Sequence, residues 1–223
     1  MLISAGSLWV KKTQSIWLPG PLRGADVALD SAGFTAMSVH GGVYPWTAEQ
    51  YLDIVEWLRP AWYASRDYCV EPEIASNERE RHRRIDKTAE EYHELCSLAD
   101  KRELPRPRPI IQGWTNKDYL RCADLLGELT GLVGVGSVCR RPLRGEHGLA
   151  SVLDACSEIS RELHLFGVKG PALGVIRSDL VWRQSVKSVD SHAWDYACRR
   201  QGVRTLNGRI KYLRQWYKQH KEV

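Results

Sequence analysis

Asp30, Asp67, Gln112 and Asp190 share a context: each stands where a short apolar or strand-like run stops. Val27-Ala28-Leu29 precedes Asp30-Ser31, Ala61–Ser65 precedes Asp67, Ile110-Ile111 precedes Gln112-Gly113, and the stretch from Ser185 leads to Asp190-Ser191. A further run, Gly131–Val138, is studded with glycines at Gly134 and Gly136. Two carboxylates on one face suit work at an acetal-like carbon, where one attacks the anomeric centre and the other handles a proton. A third carboxylate, an amide and backbone N–H groups can read a purine edge. Guanine offers N1–H and an exocyclic amine as donors and O6 as an acceptor, and an aromatic such as Phe34 can stack on its ring. For each residue alone the alternative is a loop or cap position, where Asp and Ser are favoured anyway. Their recurrence at successive strand ends is what points to one pocket.

The elements that would bring them together can be read from the pattern. Thr47–Pro60 reads as a helix with Thr47 as N-cap and Pro60 as stop. Asn77–Leu104 reads as a long charged helix whose stripe Ile85, Tyr92, Leu95 and Ala99 faces the core, ended by the Pro/Arg segment at 104–109. Thr115–Leu129 and Gly148–Leu163 read as helices, His164–Gly170 as a strand and turn, and Ser185–Arg200 as a strand running into a helix. Asn207–Lys221 closes the chain as a basic helix. Alternation of this kind implies an α/β fold with a parallel sheet and helical crossovers. A single (β/α)8 TIM-type barrel domain spanning 1–223 is the first expectation and an open doubly wound sheet the second. In a parallel barrel all C-terminal strand ends share one face, where active sites are built. No G-x-G-x-x-G turn stands at a strand-to-helix junction, which weakens a dinucleotide-binding reading.

The residues also carry a family resemblance. "DSAGFT" (Asp30–Thr35) resembles the D-S-G-G-[FY]-Q element of the tRNA-guanine transglycosylase superfamily. "RDYCVEP" (Arg66–Pro72) resembles its D-x-C-x-x-P element, and "QGW" (Gln112–Trp114) its Q-G-[GS] strand end. "GVGSV" (Gly134–Val138) is similar to its glycine loop, "LHLFGVKGP" (Leu163–Pro171) to its h-L-[MF]-G strand, and "VDSHAWDYA" (Val189–Ala197) to an element of its archaeal branch. Together these motifs cover roughly residues 25 to 200 in the family's order. The resemblance implies a (β/α)8 barrel that exchanges guanine for a 7-deazaguanine through a covalent glycosyl-enzyme. Asp190 matches the nucleophile and Asp30 the general acid/base. Ser31, Asp67, Gln112, Gly113, Gly134 and Gly136 match the base pocket, with Phe34 stacking. Asp195, inside the helix that follows, is the rival to Asp190.

The departures are informative. Ala32 stands where the family has glycine, Thr35 replaces glutamine, and the glycine loop runs into Cys139-Arg140-Arg141 rather than a glutamate. After Asp190 there is only Cys198, so the cysteine-rich zinc site of the tRNA enzymes is missing, and 223 residues leave no room for accessory RNA-binding domains. This points to the compact phage and bacterial relatives that place 7-deazaguanines, such as 7-cyano-7-deazaguanine, in DNA. Arg140, Arg141, Arg144 and the tail residues Arg209, Lys211, Arg214 and Lys218, interleaved with Tyr212, Trp216 and Tyr217, are the expected phosphate contacts.

Other classes stay in view. A tRNA-acting enzyme and a non-catalytic nucleic-acid-binding relative are the alternatives, the latter opposed by the presence of both Asp30 and Asp190. A hydrolase or deoxyribosyltransferase for free nucleosides uses the same carboxylate logic but leaves the basic tail idle. The seven histidines form no H-x-H or H-x-x-x-H pattern, and the six cysteines no C-x-x-C pair, so neither a metal nor a cofactor is expected. His192, beside Asp190, reads as a helix-start residue without a role, with contact to the substrate as the alternative. The net charge of +5 is a mild basic bias. No apolar run approaches the roughly 20 residues of a membrane span, and the N-terminus lacks a signal-peptide pattern. The expected setting is cytoplasmic, in a bacterial host cell if the gene is a phage's, with a monomer and a homodimer both open.

Overall fold

The computed structural model describes residues 1–191 and 193–220. Strand β1 (Leu2–Ser4) leads through the antiparallel hairpin β2 (Trp9–Val10) and β3 (Ser15–Ile16) to β4 (Ala28–Asp30). Helices α1 (Gly33–Val39) and α2 (Ala48–Leu58) precede β5 (Trp62–Tyr63). Then α3 (Glu78–Lys101), β6 (Ile110–Ile111), α4 (Asn116–Leu126), β7 (Val133–Val135), α5 (Leu149–Ile159) and β8 (Leu163–Leu165) alternate. Two short helices, α6 (Ala172–Arg177) and α7 (Leu180–Ser185), lead to β9 (Val186–Val189), and α8 (Ala193–Arg200) and α9 (Leu206–His220) end the described chain.

The strands pair in parallel in the orders β1-β4-β5 and β6-β7-β8-β9. A single parallel bridge, Ala64 to Arg108, joins the two sheets between β5 and β6. Strand order thus follows chain order, apart from the hairpin. That is the topology of a TIM-barrel-like β/α fold, in which each parallel pair needs a crossover. Among the described residues, no ladder pairs β9 with β1.

Alternation along each strand sorts the side chains into two sets. Ile3, Leu29, Ile111, Val133, Val135, Leu163 and Leu165 point outward and are buried under the helices. Two apolar clusters result. One gathers β1, β4, β5, α1 and α2 with the end of α3; the other gathers β6 to β9 with α4 to α7. The opposite set points inward. Across the interior, the Trp62 ring meets His164 at 5.0 Å and Phe166 at 6.5 Å between centroids.

The helices start where the sequence says they should. Thr47 and Thr115 each make a reciprocal capping box, with Gln50 and Asp118, and Asn77 caps α3 through Glu80 N–H. A cap of this kind contributes about 1 kcal/mol. Ile85, Leu95 and Ala99 of the α3 stripe are buried and Tyr92 is half-buried, as the periodicity predicts. The glycine-rich run shrinks to the three residues of β7 because Gly131 (φ 68°) and Ser137 (φ 56°) are left-handed and cannot extend it. The sequence reading passed over β1, the hairpin, α1 and the α6–α7 pair, all too short for a clear period. No helix among the described residues is long and apolar enough to cross a membrane.

Candidate active site

The inward side chains at the C-terminal strand ends belong to Ser4, Asp30, Gln112, Phe166 and Asp190, with Gly136 contributing a bare backbone. Asp67 arrives from the loop after β5. Register explains the company: Ser4 pairs with Asp30 across β1–β4, and Asp190 stands two residues beyond Ser188, the partner of His164 across β8–β9.

Asp67 is buried, and Asp30, at the rim of the pocket, is partly buried. Burial is the main cause that pushes Asp30 up to about 7, with the charges of Asp67 and then Asp190 adding to it. The Ser4 hydroxyl and the Ala32 N–H, which lies 3.1 Å from Asp30 Oδ2, offset part of the rise. A carboxyl near neutrality can both give and take a proton at physiological pH, which is what a general acid/base must do. Asp67 is also raised, again by burial, while hydrogen bonds from Ser31, Gln112 and Tyr44 oppose the rise.

Asp67 anchors a closed network. The Ser31 hydroxyl donates to its Oδ1 at 2.7 Å, and Gln112 Nε2 donates to its Oδ2. The Tyr44 hydroxyl donates to the Asp67 carbonyl at 2.9 Å. The Ser137 hydroxyl donates to Gln112 Oε1 at 2.5 Å and accepts Val70 N–H at 2.7 Å. Ser31 and Gln112 are fully buried, and Asp67 and Ser137 nearly so. The polar groups expected to read a base satisfy each other.

Two glycines make this network fit. A Cβ on Gly33 would stand 2.3 Å from Asp67 Oδ1, and one on Gly136 would stand 2.1 Å from Gln112 Nε2. Ala32, by contrast, is left-handed (φ 69°, ψ 35°) at the entry to α1. The family glycine is therefore replaced at a position whose backbone favours glycine, at a cost of about 1 kcal/mol. Gly134 lies one layer lower, where its bare backbone makes room for Phe166 and Ile110.

Asp190 is held differently. Its Oδ1 accepts Gly167 N–H at 2.8 Å, and its main chain bonds both ways with β8 and the loop after it. His164 Nε2 stands 3.5 Å from the same oxygen without forming a hydrogen bond. His164 was not singled out by sequence reasoning. The signal was there: a polar residue in an apolar strand, two positions before Phe166, on the inward face. The rival Asp195 is engaged with Arg199 and Arg209, so it clips α8 to α9. His192 lies outside the described residues.

One expected contact is corrected. Arg141 does not face solvent: it is 2% exposed, and its guanidinium donates to the carbonyls of Ser137, Gly113, Trp114 and His147 at 2.6–2.9 Å. It also lies over the Trp114 ring at 4.3 Å. It is a structural hub with no donors left for phosphate. The Gly113 carbonyl is part of the same hub, and a Cβ on this residue would strike Asp118 and Tyr119 of α4 at 2.8 Å. Arg140 reaches outward and pairs with Glu73 at 2.6 Å, and Arg209 pairs with Asp195. Arg144, Lys211, Arg214 and Lys218 are exposed and make no ion pair among the described residues. Phe34 is 52% exposed on α1, at the Asp30 side of the rim.

Cys198 is buried with its thiol 3.8 Å from the Val203 carbonyl, and among the described residues no group of three or more His, Cys, Asp or Glu is placed to hold a metal ion.

A search of the curated proteins finds no match to the chain. The family models do: residues 8–209 match DpdA, DeoxyPurine in DNA protein A. The match covers most of the chain and includes every inward strand-end residue except Ser4. The chain therefore belongs to the DpdA family, glycosyltransferases that exchange guanine in DNA for 7-deazaguanine bases.

Proposed function

We propose that Asp190 is the nucleophile and Asp30 the proton carrier of this exchange. One Asp190 oxygen attacks C1′ of the target deoxynucleotide. The C1′–N9 bond breaks, its electron pair passes to the guanine, and Asp30 supplies a proton to the departing base. Asp30 then takes the proton from the arriving 7-deazaguanine, such as 7-cyano-7-deazaguanine, whose nitrogen attacks C1′ and displaces Asp190. The reading rests chiefly on the state of Asp30: a carboxyl poised near pH 7 at the same strand-end rim as Asp190, which contributes to that poise.

Asp67, Ser31 and Gln112 read the guanine edge once the base replaces their mutual hydrogen bonds, and Phe34 stacks on it. The sheet is a compact TIM-type barrel in a single domain, whose seven described parallel strands, one fewer than a full (β/α)8 barrel has, close between β9 and β1. The Trp62–His164 contact across the interior and the influence of Asp190 on Asp30 support that closure. Arg144 and the exposed cations of α9 hold the phosphates, and a duplex target nucleotide is flipped out to reach the pocket. The test is direct. DNA with radiolabelled guanine, incubated with the protein and the deazaguanine, releases labelled guanine, and Asp190→Asn abolishes the release. Exchange on tRNA but not DNA overturns the assignment of the polymer, and exchange on free deoxyguanosine alone makes the protein a nucleoside enzyme.

A further inference from the structure

His164 is buried on β8, 3% exposed, with its ring wedged edge-on between Phe166 (4.6 Å) and Trp62 (5.0 Å). Its Nδ1 lies 2.7 Å from the hydroxyl of Ser188, its register partner on β9. Its Nε2 is buried, has no hydrogen-bond partner among the described residues, and faces Asp190 Oδ1 at 3.5 Å. A bare Nε2 lone pair opposite a carboxylate oxygen would be repulsive. A Ser188 hydroxyl that donates to Nδ1 leaves the proton on Nε2, where Oδ1 can accept it. A small shift of the Asp190 side chain closes that bond.

We propose that His164 is a positioning residue for Asp190, in a relay that runs from Ser188 through His164 to Oδ1. The inference rests on Asp190 being the nucleophile. Nε2–H and the Gly167 N–H then share Oδ1, and Oδ2 is the oxygen left to bond C1′. In the covalent intermediate Oδ1 becomes the ester carbonyl. When the deazaguanine nitrogen forms its bond to C1′, the C1′–Oδ2 bond breaks, and its electron pair returns to a carboxylate that both donors stabilise. Two donors on Oδ1 favour the carboxylate over the ester, so they speed the second half-reaction more than the first.

This gives a signature that loss of packing would not produce. His164→Phe keeps the ring and removes the donor. It slows capture of the deazaguanine about 10- to 100-fold, while the covalent DNA–protein adduct builds up on a denaturing gel. His164→Gln places an amide N–H near the Nε2 position and recovers most of the rate. Equal slowing of both half-reactions in His164→Phe, with no adduct build-up and no recovery in His164→Gln, overturns the proposal. A second measurement is independent of turnover. Nitrogen-15 NMR of the His164 imidazole is expected to show the Nε2–H tautomer and a shift of that signal in Asp190→Asn. A proton on Nδ1 alone, with Nε2 bare, overturns the relay even if exchange proceeds. An intact relay in a protein that exchanges no base refutes the role proposed for Asp190, not the pairing.

Discussion

The two sides of the pocket solve opposite problems. On the Asp67 side, the carboxylate, the Gln112 amide and the hydroxyls of Ser31 and Ser137 are locked in mutual hydrogen bonds under two glycines. On the Asp190 side, one oxygen takes one amide N–H and an imidazole stands just out of bonding range. The first arrangement resembles a mould: rigid, satisfied, and able to trade internal bonds for those of a base of the right shape. The second resembles a mechanism at rest, with a group left movable because a bond must form there and break again. Recognition favours saturation, and covalent chemistry favours a nucleophile that is oriented but not fully engaged.

The largest way to break the contrast is at the reactive side. Asp190→Asn is expected to lower exchange by at least about 1,000-fold while leaving the melting temperature within a few degrees, since Asn keeps the acceptor for Gly167 N–H. Single-turnover assays and thermal denaturation check both halves. The saturated side should respond the other way. Gly136→Ala drives a methyl group into Gln112 and is expected to cost about 3 kcal/mol in denaturant unfolding, with base binding lost as well. Little change in stability there would show that the Gln112 side chain is free to move, and the mould picture would be wrong.

Asp30 lies between the two regimes, and pH separates its roles. Its carboxyl titrates near 3.8 in the unfolded chain and at about 7 when folded, so the native form binds more protons over that interval. The burial penalty is absent below about pH 4, grows as pH rises, and is complete above about 7. Asp30→Asn should therefore gain more than about 1 kcal/mol relative to the native protein at pH 8 and nothing comparable at pH 4. Exchange by the native protein should peak near the Asp30 titration, and a flat rate between pH 5 and 9 would remove Asp30 from the proton transfer. The smallest effect is expected at Ala32→Gly, where relief of the left-handed alanine is partly offset by a floppier unfolded chain. A net gain of about 0.5 kcal/mol is expected, measured by chemical denaturation.

Much of this was legible in the residues. Strand ends on Asp30, Gln112 and Asp190 could be found because parallel strands buried on both faces read as apolar runs, and a polar residue there is conspicuous. The capped helices were legible for a similar reason: Thr47 and Thr115 are local signals read locally. What escaped depends on distance in sequence. Nothing near Arg141 says that it will find carbonyls at 113, 114, 137 and 147, and a basic pair beside a glycine loop reads naturally as a phosphate contact. His164 escaped because its meaning comes from register with Ser188, which a single strand does not reveal. The hairpin Trp9–Ile16 escaped because its strands are two residues long.

The Arg141 hub has a consequence for how the molecule comes apart. One guanidinium holds the carbonyl groups that end β6, follow β7 and precede α5, three segments that would otherwise fluctuate as separate surface loops. Removing it does not loosen a single loop; it removes the shared fastening of all three. The amides of these segments should therefore exchange with solvent as one cooperative unit, opening together and at a common free energy. A floor of the active site that opens only all at once gives the catalytic rim a long-lived shape between rare, concerted excursions.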